Sequence, residues 1–86
     1  MNTIHKYHLF AGPGTTITHM IPEEAEVLCV MMQRGNPCLW VKVDEDKPLV
    51  PHTFVCLGTG MDFQEEVSYI ASVNDEPYIW HFFEVL

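Results

Sequence analysis

The sequence predicts an all-β fold, or a β-dominated α+β one: a small antiparallel sandwich or barrel of about six or seven strands. Three observations lead there. Apolar segments rich in β-branched and aromatic residues recur at intervals of roughly 8–15 residues. Turn residues separate them, at Ala11-Gly12-Pro13-Gly14, Arg34-Gly35-Asn36-Pro37, Gly58-Thr59-Gly60 and Asn74-Asp75-Glu76-Pro77. Finally, 86 residues make a single domain, and a 48% hydrophobic content is generous for a body that can bury only part of it.

Ile4–Phe10 is the first expected strand, closed by the Gly-Pro-Gly turn. Thr15–Met20 carries Thr and Ile, which suit a pleated, half-buried surface, and Pro22 is expected to stop it. The next stretch reads two ways. Pro22 followed by Glu23, Glu24 and Glu26 resembles a helix start, with acids in the first turn where the helix dipole favours them. Against that, Val27-Leu28-Cys29-Val30-Met31-Met32 is a continuous apolar run between turn signals, as in a buried strand. Cys38-Leu39-Trp40-Val41-Lys42-Val43-Asp44 then alternates more cleanly, so Val27–Gln33 and Pro37–Asp44 are taken as a hairpin, with a helix over Pro22–Arg34 as the alternative.

Glu45-Asp46-Lys47-Pro48 is a charged turn, and Thr53–Leu57 a strand that ends at the Gly-Thr-Gly turn. Met61–Glu66 is acidic and irregular, with room for one helical turn. Val67–Val73 and Tyr78–Glu84 are the last two strands. In the final one, Tyr78, Trp80 and Phe82 share one side and Ile79, His81 and Phe83 the other, so both sides are apolar or aromatic. That demands either a partner subunit or an aromatic-walled cleft.

Twelve acidic residues against four basic ones give a net charge of −8, which excludes direct DNA or RNA binding through a basic field. An anion can still be held locally by main-chain amides and a few placed cations. The surplus of apolar residues points to a homo-oligomer. Cys29, Cys38 and Cys56 are odd in number and irregularly spaced, as free thiols of a reducing cytoplasm are. The sequence shows neither a leader peptide nor an apolar run of the ~20 residues that span a bilayer, so no membrane partner is expected.

Five histidines are present, but without HxH, HxxxH or CxxC spacing, so no metal and no cofactor is expected. Cys56 or Ser68 with His81 is the candidate nucleophile–base pair, with no GxSxG elbow to support it, and the protein is read as a binder and not an enzyme. Gly58-Thr59-Gly60 is the more specific feature: two glycines around a threonine can form a concave nest of N–H groups for a phosphate, with the hydroxyl as a further donor.

Lys6-Tyr7 in the first strand, the Pro37-Cys38-Leu39-Trp40 and Val43-Asp44 hairpin, Gly58-Thr59-Gly60, Tyr69-Ile70 and the terminal Trp80-His81-x-Phe83-Glu84 together resemble a small phage-encoded family of unknown function. Its members open on a Lys-Tyr strand and close on a Trp-His-x-Phe-Glu strand. Many continue the glycine turn with a His-Pro pair, where this chain has Met61-Asp62. That family in turn resembles the viral sponge proteins that sequester nucleotide immune signals in evasion of CBASS. The resemblance implies a homo-oligomer in the host cell cytoplasm that binds a cyclic dinucleotide or similar small nucleotide between subunits without cleaving it.

On that reading Trp40, Tyr69 and Trp80 are the stacking residues, and Gly58, Thr59 and Gly60 the phosphate contacts. Lys6 and Arg34 neutralise charge, and Tyr7 and His81 complete the ligand-binding set. The alternative is an acidic, nucleic-acid-mimicking inhibitor of a bacterial defence nuclease, such as an anti-CRISPR, acting through carboxylates including Glu23, Glu24, Asp44, Asp62 and Glu65.

Overall fold

A computed structural model describes residues 1–10 and 12–86; Ala11, placed by the sequence in the first turn, lies outside the described residues. Seven strands form two antiparallel sheets: β1 (Asn2–His8), β2 (Thr16–Pro22), β3 (Glu26–Gln33), β4 (Asn36–Asp44), β5 (Leu49–Gly58), β6 (Val67–Asp75) and β7 (Tyr78–Val85). Sheet order is β1-β4-β3 in one layer and β2-β5-β7-β6 in the other. This is the expected all-β sandwich, with no helix among the described residues.

The layers meet over side chains that alternate inward along each strand. Leu39, Val41 and Val43 of β4 pack against Phe54 and Cys56 of β5, Phe82 of β7, Ile21 of β2 and Leu9. Phe54 and Phe82 are sealed from solvent, and burying each stabilises the fold by roughly 1.5–3 kcal/mol.

The stretch read as hairpin or helix is the hairpin. Glu24 takes a positive φ of 62° in the turn after β2, so the chain reverses there and does not start a helix. Arg34 (φ 51°) and Gly35 (φ 79°) form the two-residue connection between the paired residues Gln33 and Asn36, the geometry of a type I′ hairpin turn.

Pro22 ends β2 as expected, serving as its last paired residue, opposite Leu49. Two expectations are corrected. β5 starts at Leu49, because Pro51 sits where β5 has β2 beside it and β7 has not yet begun pairing, so a missing N–H leaves no ladder bond broken. Met61–Glu66 holds no helical turn; it folds over the outer face of β5 and covers Val55 and Leu57, which are only 4% and 3% exposed. The last turn, Glu76-Pro77, contains a cis peptide bond.

Register shifts mark β-bulges between Val27 and Cys29 in β3 and between Tyr69 and Ala71 in β6, each an edge strand. The second bulge matters most. It inserts Ile70, which packs on the core, and leaves Tyr69 opposite Phe83 and Ser72 opposite His81 on the same outer face.

Candidate functional site

On the outer face of the four-stranded sheet, four side chains from three segments form one hydrogen-bonded chain. The Tyr69 hydroxyl lies 2.9 Å from Ser72 Oγ, Ser72 Oγ lies 2.7 Å from His81 Nδ1, and His81 Nε2 lies 2.7 Å from Thr59 Oγ1. A neutral imidazole donates from one nitrogen and accepts at the other, so one of the two hydroxyls donates to the ring and the other receives from it. Strand β7 supplies His81, β6 supplies Tyr69 and Ser72 through its bulge, and the turn after β5 supplies Thr59.

An aromatic wall stands beside this chain. Phe83 contacts Tyr69 edge-on at 5.6 Å between centroids and Phe63 in a tilted pair at 5.7 Å. Tyr69 is 61% exposed and Phe63 is 45% exposed, so the wall presents ring surface to solvent. Leu57, Gly58, Thr59, Gly60, Met61, Phe63, His81 and Phe83 line the resulting open cleft, with a volume of about 250 Å3. Pockets for drug-sized ligands run from about 300 to 1,000 Å3, so the cleft takes a single ring system and no more.

The glycine turn is built for this position. Met61 N–H donates to Gly58 O at 3.1 Å, and Gly60 has a φ of 91°, the left-handed region that favours glycine. The expected phosphate nest is narrowed, however. Gly58 N–H points at Met61 Sδ at 3.2 Å, and the Thr59 hydroxyl is engaged by His81.

The predicted binding residues therefore divide. Gly58, Thr59, Gly60 and His81 line the cleft, and Tyr69 stands beside it against Phe83. Trp80 does not: it faces inward, stacks on Tyr78 at 5.3 Å, packs on Phe10 at 5.8 Å and donates from Nε1 to Asp75 Oδ2. Tyr7 also faces inward, tilted on His19 at 5.2 Å, and its partial burial raises the phenol pKa. Lys6 and Trp40 are cross-strand neighbours on the outer face of the other sheet, with Arg34 at the tip of that sheet's hairpin.

The nucleophile–base guess is corrected too. Cys56 pairs with Phe82 on the inner face, where burial pushes its thiol up to about 11, and Ser68 sits opposite Glu84; the hydroxyls that touch His81 are Ser72 and Thr59. Sequence reasoning missed Ser72 and Phe63. Of the acids invoked for the inhibitor reading, Asp44 is held by the N-terminal ammonium at 3.0 Å and Glu24 lies 3.7 Å from Lys47. Among the described residues no cluster of His, Cys, Asp or Glu is placed to hold a metal ion, and no helix is long and apolar enough to cross a membrane.

Fold and site together define a small seven-stranded antiparallel β-sandwich with an aromatic, hydroxyl-and-imidazole cleft on one outer face. The chain belongs to the family described as domain of unknown function DUF7352, which matches residues 1–86. No curated protein and no solved structure matches it.

Proposed function

We propose that the protein binds a small nucleotide, of the cyclic-dinucleotide kind, and sequesters it without cleaving it, as a phage immune-evasion protein of the host cytoplasm. One observation carries the reading: an exposed aromatic wall, Tyr69–Phe83–Phe63, stands against a fixed row of hydroxyl and imidazole groups, Thr59–His81–Ser72. Aromatic faces stack on nucleobases for roughly 1–3 kcal/mol per base, and the polar row offers donors and acceptors to a base edge. The small cleft volume accommodates one base, so the rest of a dinucleotide lies against a second copy of the chain, as the resemblance to sponge proteins implies.

Sequestration without cleavage fits the same geometry. The main-chain donor of Gly58, at the cleft, is turned to the Met61 sulfur and not toward a developing oxyanion.

Titration calorimetry with cyclic dinucleotides and cyclic ADP-ribose isomers tests the proposal. Saturable binding is expected, with the ligand recovered intact after denaturation. Heat-silent titrations throughout that panel reject sequestration, and a chemically altered ligand rejects the non-catalytic part.

A further inference from the structure

We infer that the outer face of the β1-β4-β3 sheet is a self-association surface, which receives the acidic Met61–Glu66 loop of a second copy. The few cations of the chain are unevenly placed. Of the four Lys and Arg residues, Lys6 and Lys42 lie on this face and Arg34 at its hairpin tip. Among the described residues only Lys47 of the four makes an ion pair, to Glu24. Lys6 reaches no carboxylate and donates instead to Gln33 Oε1 at 2.7 Å. In a chain of net charge −8, three of the four cations have thus been gathered on one sheet, where Glu26, opposite Lys42, and Asp44, bound to the N-terminal ammonium, are the acids at its far end from Arg34.

The same face is apolar between the charges. Register puts Trp40 directly between Lys6 and Cys29, and Ile4 beside Lys42. Ile4 is 59% exposed and Met31 51% exposed, an arrangement that a partner would desolvate. The complement lies on the opposite side of the sandwich. Asp62, Glu65 and Glu66 are exposed on the loop over β5, with Phe63 among them at 45% exposure. Cations around an apolar centre thus meet carboxylates around an aromatic one.

Because the two patches differ, the contact is heterologous and builds rings or short chains and not a two-fold dimer. A three-stranded face falls at the small end of specific interfaces, below about 1,200 Å2 in total, so association is weak and salt-sensitive. The surface rests on charge and exposure alone. Should the ligand reading also hold, the neighbour's lysines supply the cations that the Thr59–His81 cleft lacks.

Sedimentation equilibrium of the ligand-free protein over a micromolar concentration series, at low and high salt, tests the surface. The wild type is expected to assemble with concentration and to dissociate as salt rises. The Lys6→Glu/Lys42→Glu variant and the Glu65→Lys/Glu66→Lys variant, all at exposed positions, should each weaken assembly at least about tenfold while keeping wild-type circular dichroism, and an equimolar mixture of the two should assemble again. A monomeric wild type, variants that assemble as the wild type does, or a mixture that stays monomeric overturns the inference. Ligand titration of the same samples is scored separately, so loss of binding with intact assembly counts only against the nucleotide reading.

Discussion

Trp80 lies directly over Gly58. A Cβ built at position 58 would stand 3.3 Å from Trp80 Cζ3 and 3.5 Å from Met61 Sδ. The two residues pair across β5 and β7, so the absent side chain is what lets the indole settle against the backbone at the point where β5 enters the glycine turn. The indole cannot retreat freely, since Tyr78 and Phe10 flank it and Asp75 holds its N–H. Gly58→Ala is therefore expected to destabilise the fold by about 1 kcal/mol through overpacking, and to shift the tryptophan emission spectrum. Chemical denaturation followed by fluorescence measures both. An unchanged midpoint would show that the indole yields without cost.

His81 joins both halves of the surface hydrogen-bonded chain, so its replacement separates two roles. His81→Ala leaves Thr59 and Ser72 without their common partner at an exposed site, where water replaces it, and stability should move by less than about 1 kcal/mol. Nucleotide affinity should fall at least about tenfold, because the polar row opposite the aromatic wall is broken. Calorimetry beside a melting curve distinguishes these outcomes. A large stability loss with unaltered affinity would mark the chain as structural.

The strand order of polarity was legible in the sequence because period-two alternation survives wherever a strand is regular. In β7 the sides fall where alternation puts them, with Phe82 sealed inside and His81 outside. β6 is different. Tyr69 and Ser72 are an odd number of residues apart, so simple alternation assigns them to opposite faces and hides Ser72 from the site. The inserted Ile70 reverses that assignment, and no glycine or proline in Val67–Asp75 announces the bulge. Phe63 was hidden for a related reason: Met61–Glu66 has no periodicity, and only the tertiary fold lays it across β5. The separation of Trp80 from His81 was readable, yet grouping them by ligand chemistry set aside that adjacent strand residues face apart.

The three free thiols should react in order of exposure. Cys29 is half-buried on the outer face of an edge strand, while Cys38 and Cys56 are 0% and 1% exposed. A thiol reagent at neutral pH is expected to modify Cys29 first and the other two only after denaturant is added, since the thiolate is the reactive form and needs access. Mass spectrometry of the labelled peptides reads the order directly. Fast labelling of Cys56 in the folded protein would contradict its place beneath Phe82.

The fold should weaken in alkali, and Cys56 supplies the main reason. Burial raises its thiol from an ordinary value of 9.0 to about 11, and raises the Tyr7 phenol above its ordinary 10.0 as well. Each group keeps its proton longer folded than unfolded. Below the unfolded value both states are protonated and the contribution to stability is complete. Above it the unfolded chain ionises first, so stability drains as pH rises through the folded value. The thermal midpoint should begin to slip above about pH 8, where the exposed Met1 ammonium, raised to about 10 by Asp46 and Asp44, contributes a little, and fall more clearly from about pH 9 towards pH 11. Cys56→Ala lowers the midpoint at every pH by opening a small cavity, yet its curve should descend less steeply over that range, because the most buried of the raised groups is gone. Parallel curves for the variant and the wild type would remove Cys56 from the explanation and leave Tyr7 and the N-terminal ammonium as the groups to replace next.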